Sequence, residues 1–185
     1  MLLSPTLRAS KAGLEKHTRN SDAMHKDIIV LGCGNILFGD DGFGSSVVDH
    51  IERSRFLPEN VSVINAGTSV REILFDLILA EQKPRKIIVI DAVDANRRPG
   101  EVFRIDIEEI PKNKVDDFAL HGMPTSNLLR ELRDFCHVEV IIIAGQVESI
   151  PDVVRPGLSE ALSRGVSVAA KEVLNLCGES YENPL

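Results

Sequence analysis

Residues 28–44, IIVLGCGNILFGDDGFG, hold the key to the fold. The run Ile28-Ile29-Val30-Leu31 is apolar and β-branched, as in a strand buried on both faces of a parallel sheet. A glycine turn, Gly32-Cys33-Gly34-Asn35, follows it. After the apolar step Ile36-Leu37-Phe38 comes an acidic pair, Gly39-Asp40-Asp41-Gly42. A helical period then begins, with Phe43, Val47, Val48 and Ile51 on one face. Strand, glycine turn and helix in this order form a ligand-holding corner of α/β proteins. Two aspartates in that corner are unusual, because they would repel a phosphate.

Outward from this stretch, buried strands alternate with amphipathic helices. Strands are expected over 27–32, 61–65, 86–91 and 138–144, and a partly exposed, antiparallel edge strand over 101–106. Helices are expected over 43–55, from 68–69 onward, over 125–135 and over 158–177. Ser69 and Glu72 have the spacing of a capping box for the second helix, whose buried face is read as Ile73, Leu74, Leu77 and Ile78. Gly165 weakens the last helix and Gly178 is placed to end it. Segments 107–122 and 145–157 read as long loops. The pattern predicts an α/β fold: a three-layer α/β/α sandwich on a mostly parallel five-stranded sheet with one antiparallel strand. Residues 27–178 form one domain in this reading, and polar residues 1–26 form a disordered extension in which Met24 is a candidate start.

Composition narrows the function. A length of 185 residues suits one domain with a sizeable core. A net charge of −7 argues against binding nucleic acid through its phosphates. One Tyr and no Trp leave little for stacking bases. No run approaches the roughly 18 apolar residues of a membrane span, so no membrane partner is expected. Three cysteines without CxxC spacing suit a reducing cytoplasm and argue against structural zinc.

Ligands of such sheets bind beyond the carboxyl ends of the strands, where the strand order reverses. Asp91 is expected at the end of the third strand and Asp41 in the loop after the first; if those strands are neighbours, both acids face one crevice. His121 lies in the 107–122 loop. Two carboxylates and an imidazole can ligate a divalent transition metal or polarise a water. Each has a plainer role open to it: Asp40 or Asp41 as a helix cap, His121 as a solvated loop residue, Cys33 as an apolar filler. Phosphate-binding alternatives fit poorly. Leu37 stands where GxGxxG needs glycine, Asn65 where a ribose-binding acid is expected, and no GK[ST] or GxSxG is present.

These residues resemble the nickel–iron hydrogenase maturation endopeptidases, whose first motif is roughly GxGNxLxxDDGxG. The likeness continues through Asn65-Ala66-Gly67-Thr68, Ile90-Asp91-Ala92, Pro99-Gly100 and His121-Gly122-Met123-Pro124, and covers about residues 27–177. It implies a protease of aspartyl type that removes a C-terminal peptide from the nickel-loaded precursor of the hydrogenase large subunit. Asp41 and Asp91 would be catalytic, and Asp41, Asp91 and His121 would contact the nickel. The nickel would arrive with the substrate as a recognition signal, with no nucleotide cofactor. Asp41 stands where the family often has Glu. Substrate contacts are expected at Gly34, Asn35, Gly67, Thr68 and Gln146. The loop Gly145-Gln146-Val147-Glu148 departs from the commoner GxQPE form, and LHGMPTSNLL around His121 is most like the branch serving deazaflavin-reducing hydrogenases of methanogens. A nucleotide- or S-adenosylmethionine-binding enzyme and a non-catalytic, nickel-dependent chaperone are the alternatives.

Overall fold

The computed structural model describes residues 25–53, 57–109 and 125–178. Residues 1–24 of the expected extension, Met24 among them, and His121 lie outside the described residues. Strand β1 (Ile28–Cys33) runs into a 3₁₀ turn (Gly39–Gly42) and helix α1 (Phe43–Arg53). There follow β2 (Val61–Gly67), α2 (Val70–Leu79), β3 (Lys86–Val93), β4 (Val102–Ile105), a 3₁₀ turn (Ile107–Glu109), α3 (Thr125–Asp134), β5 (Glu139–Gln146) and α4 (Glu160–Leu176). The sheet order is β2-β1-β3-β5-β4, with β4 antiparallel to β5 and every other pair parallel. The expected mixed five-stranded sheet is therefore present, and β1 and β3 are neighbours.

Period-two alternation of the central strands feeds two cores. Ile28, Val30, Ile88 and Ile90 pack with α1 and α4 through Phe43, Val48, Leu162 and Val173. Ile29, Leu31, Ile87 and Val89 pack on the opposite face with α2 and α3 through Leu74, Leu77, Leu128 and Leu132. Burial on both faces explains the unbroken apolar runs of these strands, Ile28–Leu31 and Ile87–Ile90. Among the described residues no helix is long and apolar enough to cross a membrane.

Several sequence expectations need correction. Ser69 does cap α2, but with ψ 15° and no side-chain bond, so the capping box is not made; a side-chain cap needs the extended N-cap backbone that Ser69 does not adopt. Ile73 and Ile78 are only partly buried, while Val70 joins Leu74 and Leu77 inside. Strand β3 continues past Asp91, because its ladder with β5 runs on through Asp91–Ala144, Ala92–Gly145 and Val93–Gln146. For the same reason Gly145 and Gln146 are strand residues rather than loop. Gly165 has a packing role: a Cβ there would lie 3.1 Å from the Gly100 carbonyl oxygen and from Val102 Cγ2. Alanine would gain about 1 kcal/mol of helix propensity and lose a similar amount to crowding. Gly165→Ala should therefore leave the melting temperature within about 3 °C of the parent, read by thermal denaturation.

Candidate active site

Because β1 connects to β2 on one side and β3 lies on the other, strand order reverses between β1 and β3. Both predicted acids are at this switch point. Asp91 belongs to β3, one residue beyond Ile90, the partner of Gly32. By alternation it lies on the sheet face of Ile87 and Val89, which packs α2 and α3. Asp41 is in the 3₁₀ turn after β1, and that turn packs against β3.

The glycine turn holds Asp41 in place. The Asn35 N–H donates to Asp41 Oδ2 at 2.7 Å. Asn35 Oδ1 accepts the Leu37 N–H at 3.0 Å, and the Asn35 carbonyl accepts the Phe38 N–H at 3.1 Å, which closes the turn. Gly34 has φ +100°, and a Cβ there would meet the Asp41 carbonyl oxygen at 1.8 Å, so only glycine fits. The Gly34 N–H donates to the Gly67 carbonyl at 3.1 Å, bringing the end of β2 and the exposed Thr68 to the rim. Asn65, at the adjacent position of β2, accepts the buried Ser45 hydroxyl at 2.8 Å. At Asp91, Oδ1 accepts the N–H of Ala92 at 2.8 Å. Both acids are half-buried.

His121 lies in the segment 110–124, outside the described residues. Its two flanks are defined. Strand β4 carries the chain away from the carboxyl end of the sheet, whereas α3, which feeds β5, starts at that end on the Asp91 face. Glu108 pairs with Arg133 at 3.0 Å and Arg130 at 3.3 Å, fixing the upstream flank to α3. Arg133 and then Arg130 hold the Glu108 carboxyl below its usual range. Among the described residues no group of three or more His, Cys, Asp or Glu is arranged to hold a metal ion.

Gln146 is 3% exposed and its amide is committed to the protein. Its Oε1 accepts the N–H groups of Ala95 at 2.9 Å and Arg97 at 3.1 Å, and its Nε2 donates to Asp94 at 3.1 Å and to the Val147 carbonyl at 3.1 Å. The bond from Gln146, with help from the Asn96 N–H, keeps the Asp94 carboxyl below its usual range. Gln146 thus shapes the wall of a cleft of about 500 Å³ lined by Asp94, Arg97, Glu148 and Ile150. A larger cleft, about 690 Å³, lies between β4 and α4 and includes none of the predicted site residues. Cys33 is buried in the α2–α3 core, as a filler would be.

Sequence reasoning missed the part played by Asp40. This carboxylate is 0% exposed. Its Oδ2 accepts the N–H groups of Glu148 at 2.8 Å and Ser149 at 3.4 Å, and its Oδ1 that of Ser159 at 2.7 Å. Those partners are too distant in sequence for any local pattern to reveal them.

Comparison with known proteins gives the family. A sequence model of the hydrogenase maturation proteases matches residues 45–176. A Methanocaldococcus jannaschii relative assigned to the same group is 41% identical, over 80% of this chain and 95% of its own. The coenzyme F420 hydrogenase subunit delta of Methanothermobacter thermautotrophicus is 37% identical, over 80% of this chain and 94% of its own. The crystal structure of a hydrogenase 2 maturation peptidase from a Thaumarchaeota archaeon is 28% identical, with a TM-score of 0.55, and covers 83% of this chain and 99% of that one.

Proposed function

This chain belongs to the hydrogenase maturation protease family, and we propose that it cuts a C-terminal peptide from the nickel-loaded precursor of a nickel–iron hydrogenase large subunit. The observation that carries this reading is the placement of Asp41 and Asp91 at the β1/β3 switch point, with Asp41 held by the Asn35 N–H. One carboxylate takes a proton from water, and the resulting oxygen nucleophile adds to the scissile carbonyl carbon. The C–N bond then breaks, and the proton passes to the departing amine. The nickel is cargo of the precursor. Asp41, Asp91 and His121 are the proposed contacts to it, and carboxylate and imidazole ligands suit that ion. Gly34, Asn35, Gly67 and Thr68 form the rim on which the peptide backbone lies, and Gln146 acts through the loop it braces.

The likeness to the coenzyme F420 hydrogenase subunit delta supports a deazaflavin-reducing hydrogenase as the substrate. Three cysteines without CxxC spacing support action in a reducing cytoplasm. The test mixes the protein with such a precursor, with and without nickel, and follows intact mass. Loss of one C-terminal peptide only when nickel is present is the expected result. A complex that forms with its precursor uncut would overturn the protease reading in favour of a chaperone, and cleavage without nickel would overturn the recognition role of the metal.

A further inference from the structure

The loop joining β5 to α4 is fastened to the turn that carries Asp41 at three places. Asp40 Oδ2 takes the N–H groups of Glu148 and Ser149 at the start of the loop, and Asp40 Oδ1 takes that of Ser159 at its end. In the middle, Arg155 donates its N–H to the Leu37 carbonyl at 2.8 Å and accepts the Gly39 N–H at 2.9 Å, forming a parallel bridge with Phe38. Two loops from the carboxyl ends of β1 and β5 thus become one platform.

The platform exposes five large apolar side chains, interspersed with the exposed Glu148, Asp152 and Arg155. Ile36 is 57% exposed, Leu37 44%, Ile150 40%, Val153 70% and Val154 63%. Among the described residues the other large exposed apolar side chains are scattered: Phe75 and Leu79 on α2, Phe135 after α3, Val168 on α4, Leu57 before β2. Apolar side chains gathered on braced loops beside a reaction centre mark a binding surface rather than ordinary surface wear. The bracing matters for affinity, because little loop entropy is lost on binding. The crown is also continuous with the site: Ile36 and Leu37 directly follow Asn35, whose N–H holds Asp41.

We propose that this crown is the docking surface for the hydrogenase precursor and takes an apolar segment of it adjoining the scissile bond. This rests on the function proposed above. Recognition through the crown is by apolar burial, so its strength changes little with salt; an acidic or basic segment would be held by ion pairs that salt screens.

The test uses the full wild-type chain with a nickel-loaded precursor whose scissile peptide bond is made resistant to cleavage, so that bound precursor is not consumed; a separate run on cleavable precursor reads processing. Ile36→Ser/Leu37→Ser and Val153→Ser/Val154→Ser are added separately, and Kd for nickel-loaded precursor is measured at low and high salt. Each pair should weaken binding by about tenfold, with melting temperature unchanged and Kd nearly independent of salt. Unchanged Kd in both pairs, a Kd dominated by salt, or no binding by the parent would overturn the proposal. Failure of the proposed function reads differently: the wild-type protein would bind precursor and leave its mass unaltered, and the crown would still be judged by Kd.

Discussion

Asp91→Asn should slow precursor processing by roughly 10³-fold or more, with the melting temperature within about 2 °C of the parent. The two halves of this result have separate causes. Asparagine keeps an oxygen at the Oδ1 position, which accepts the Ala92 N–H at 2.8 Å. It also keeps the shape that β3 holds between β1 and β5. What it removes is the negative charge and the ability to take up a proton. A neutral amide cannot serve as a general base and is a poor ligand for a divalent ion, so both proposed roles of Asp91 are lost together. Quenched time courses followed by intact mass would give the rate, and thermal melting the stability. A well-folded variant with processing near the parental rate would remove Asp91 from the reaction. A variant that melts far below the parent would show that the charge is used for folding.

What the sequence disclosed and what it concealed divide by range. The β1–turn–α1 corner was legible because the contacts that shape its turn are local: the Asn35 N–H reaches Asp41 six residues away, and Gly34 abuts the Asp41 backbone. The strands were legible because burial on both faces leaves an unbroken apolar run. The end of β5 was not, because Gly145 and Gln146 look like loop residues and become strand only through pairing with Ala92 and Val93. The duty of Gln146 was hidden for a related reason: the N–H groups it accepts belong to residues 49 and 51 positions away. Ser69 and Glu72 failed in the opposite sense, since their spacing is correct but the backbone at Ser69 turns the hydroxyl away from its cap role. Spacing states which bonds are possible, and the backbone decides which are made.

The acidic pair sharpens this point and yields the last prediction. Asp40 and Asp41 are adjacent and chemically identical, and nothing local distinguishes them. Asp40 is buried with partners 108 to 119 residues away, whereas Asp41 is half-buried and accepts the Asn35 N–H from six residues away. Asp40→Ala should therefore cost about 3 kcal/mol, because the donors left at Glu148 and Ser159 lose a charged acceptor that water replaces only in part. At roughly 2–4 °C per kcal/mol for a chain of this size, the melting temperature should fall by about 10 °C. Asp40→Asn should lie between the two, since one oxygen survives while the new NH₂ group opposes a backbone donor. Asp41→Asn should show the reverse profile: a loss of about 1 kcal/mol or less, because the amide oxygen can still accept the Asn35 N–H, together with loss of processing. Urea titration and precursor cleavage on the same three variants would separate the neighbours. Equal stability losses at both positions would mean that the 148–159 loop is not held by Asp40, and equal loss of processing per folded molecule would place both acids in the reaction.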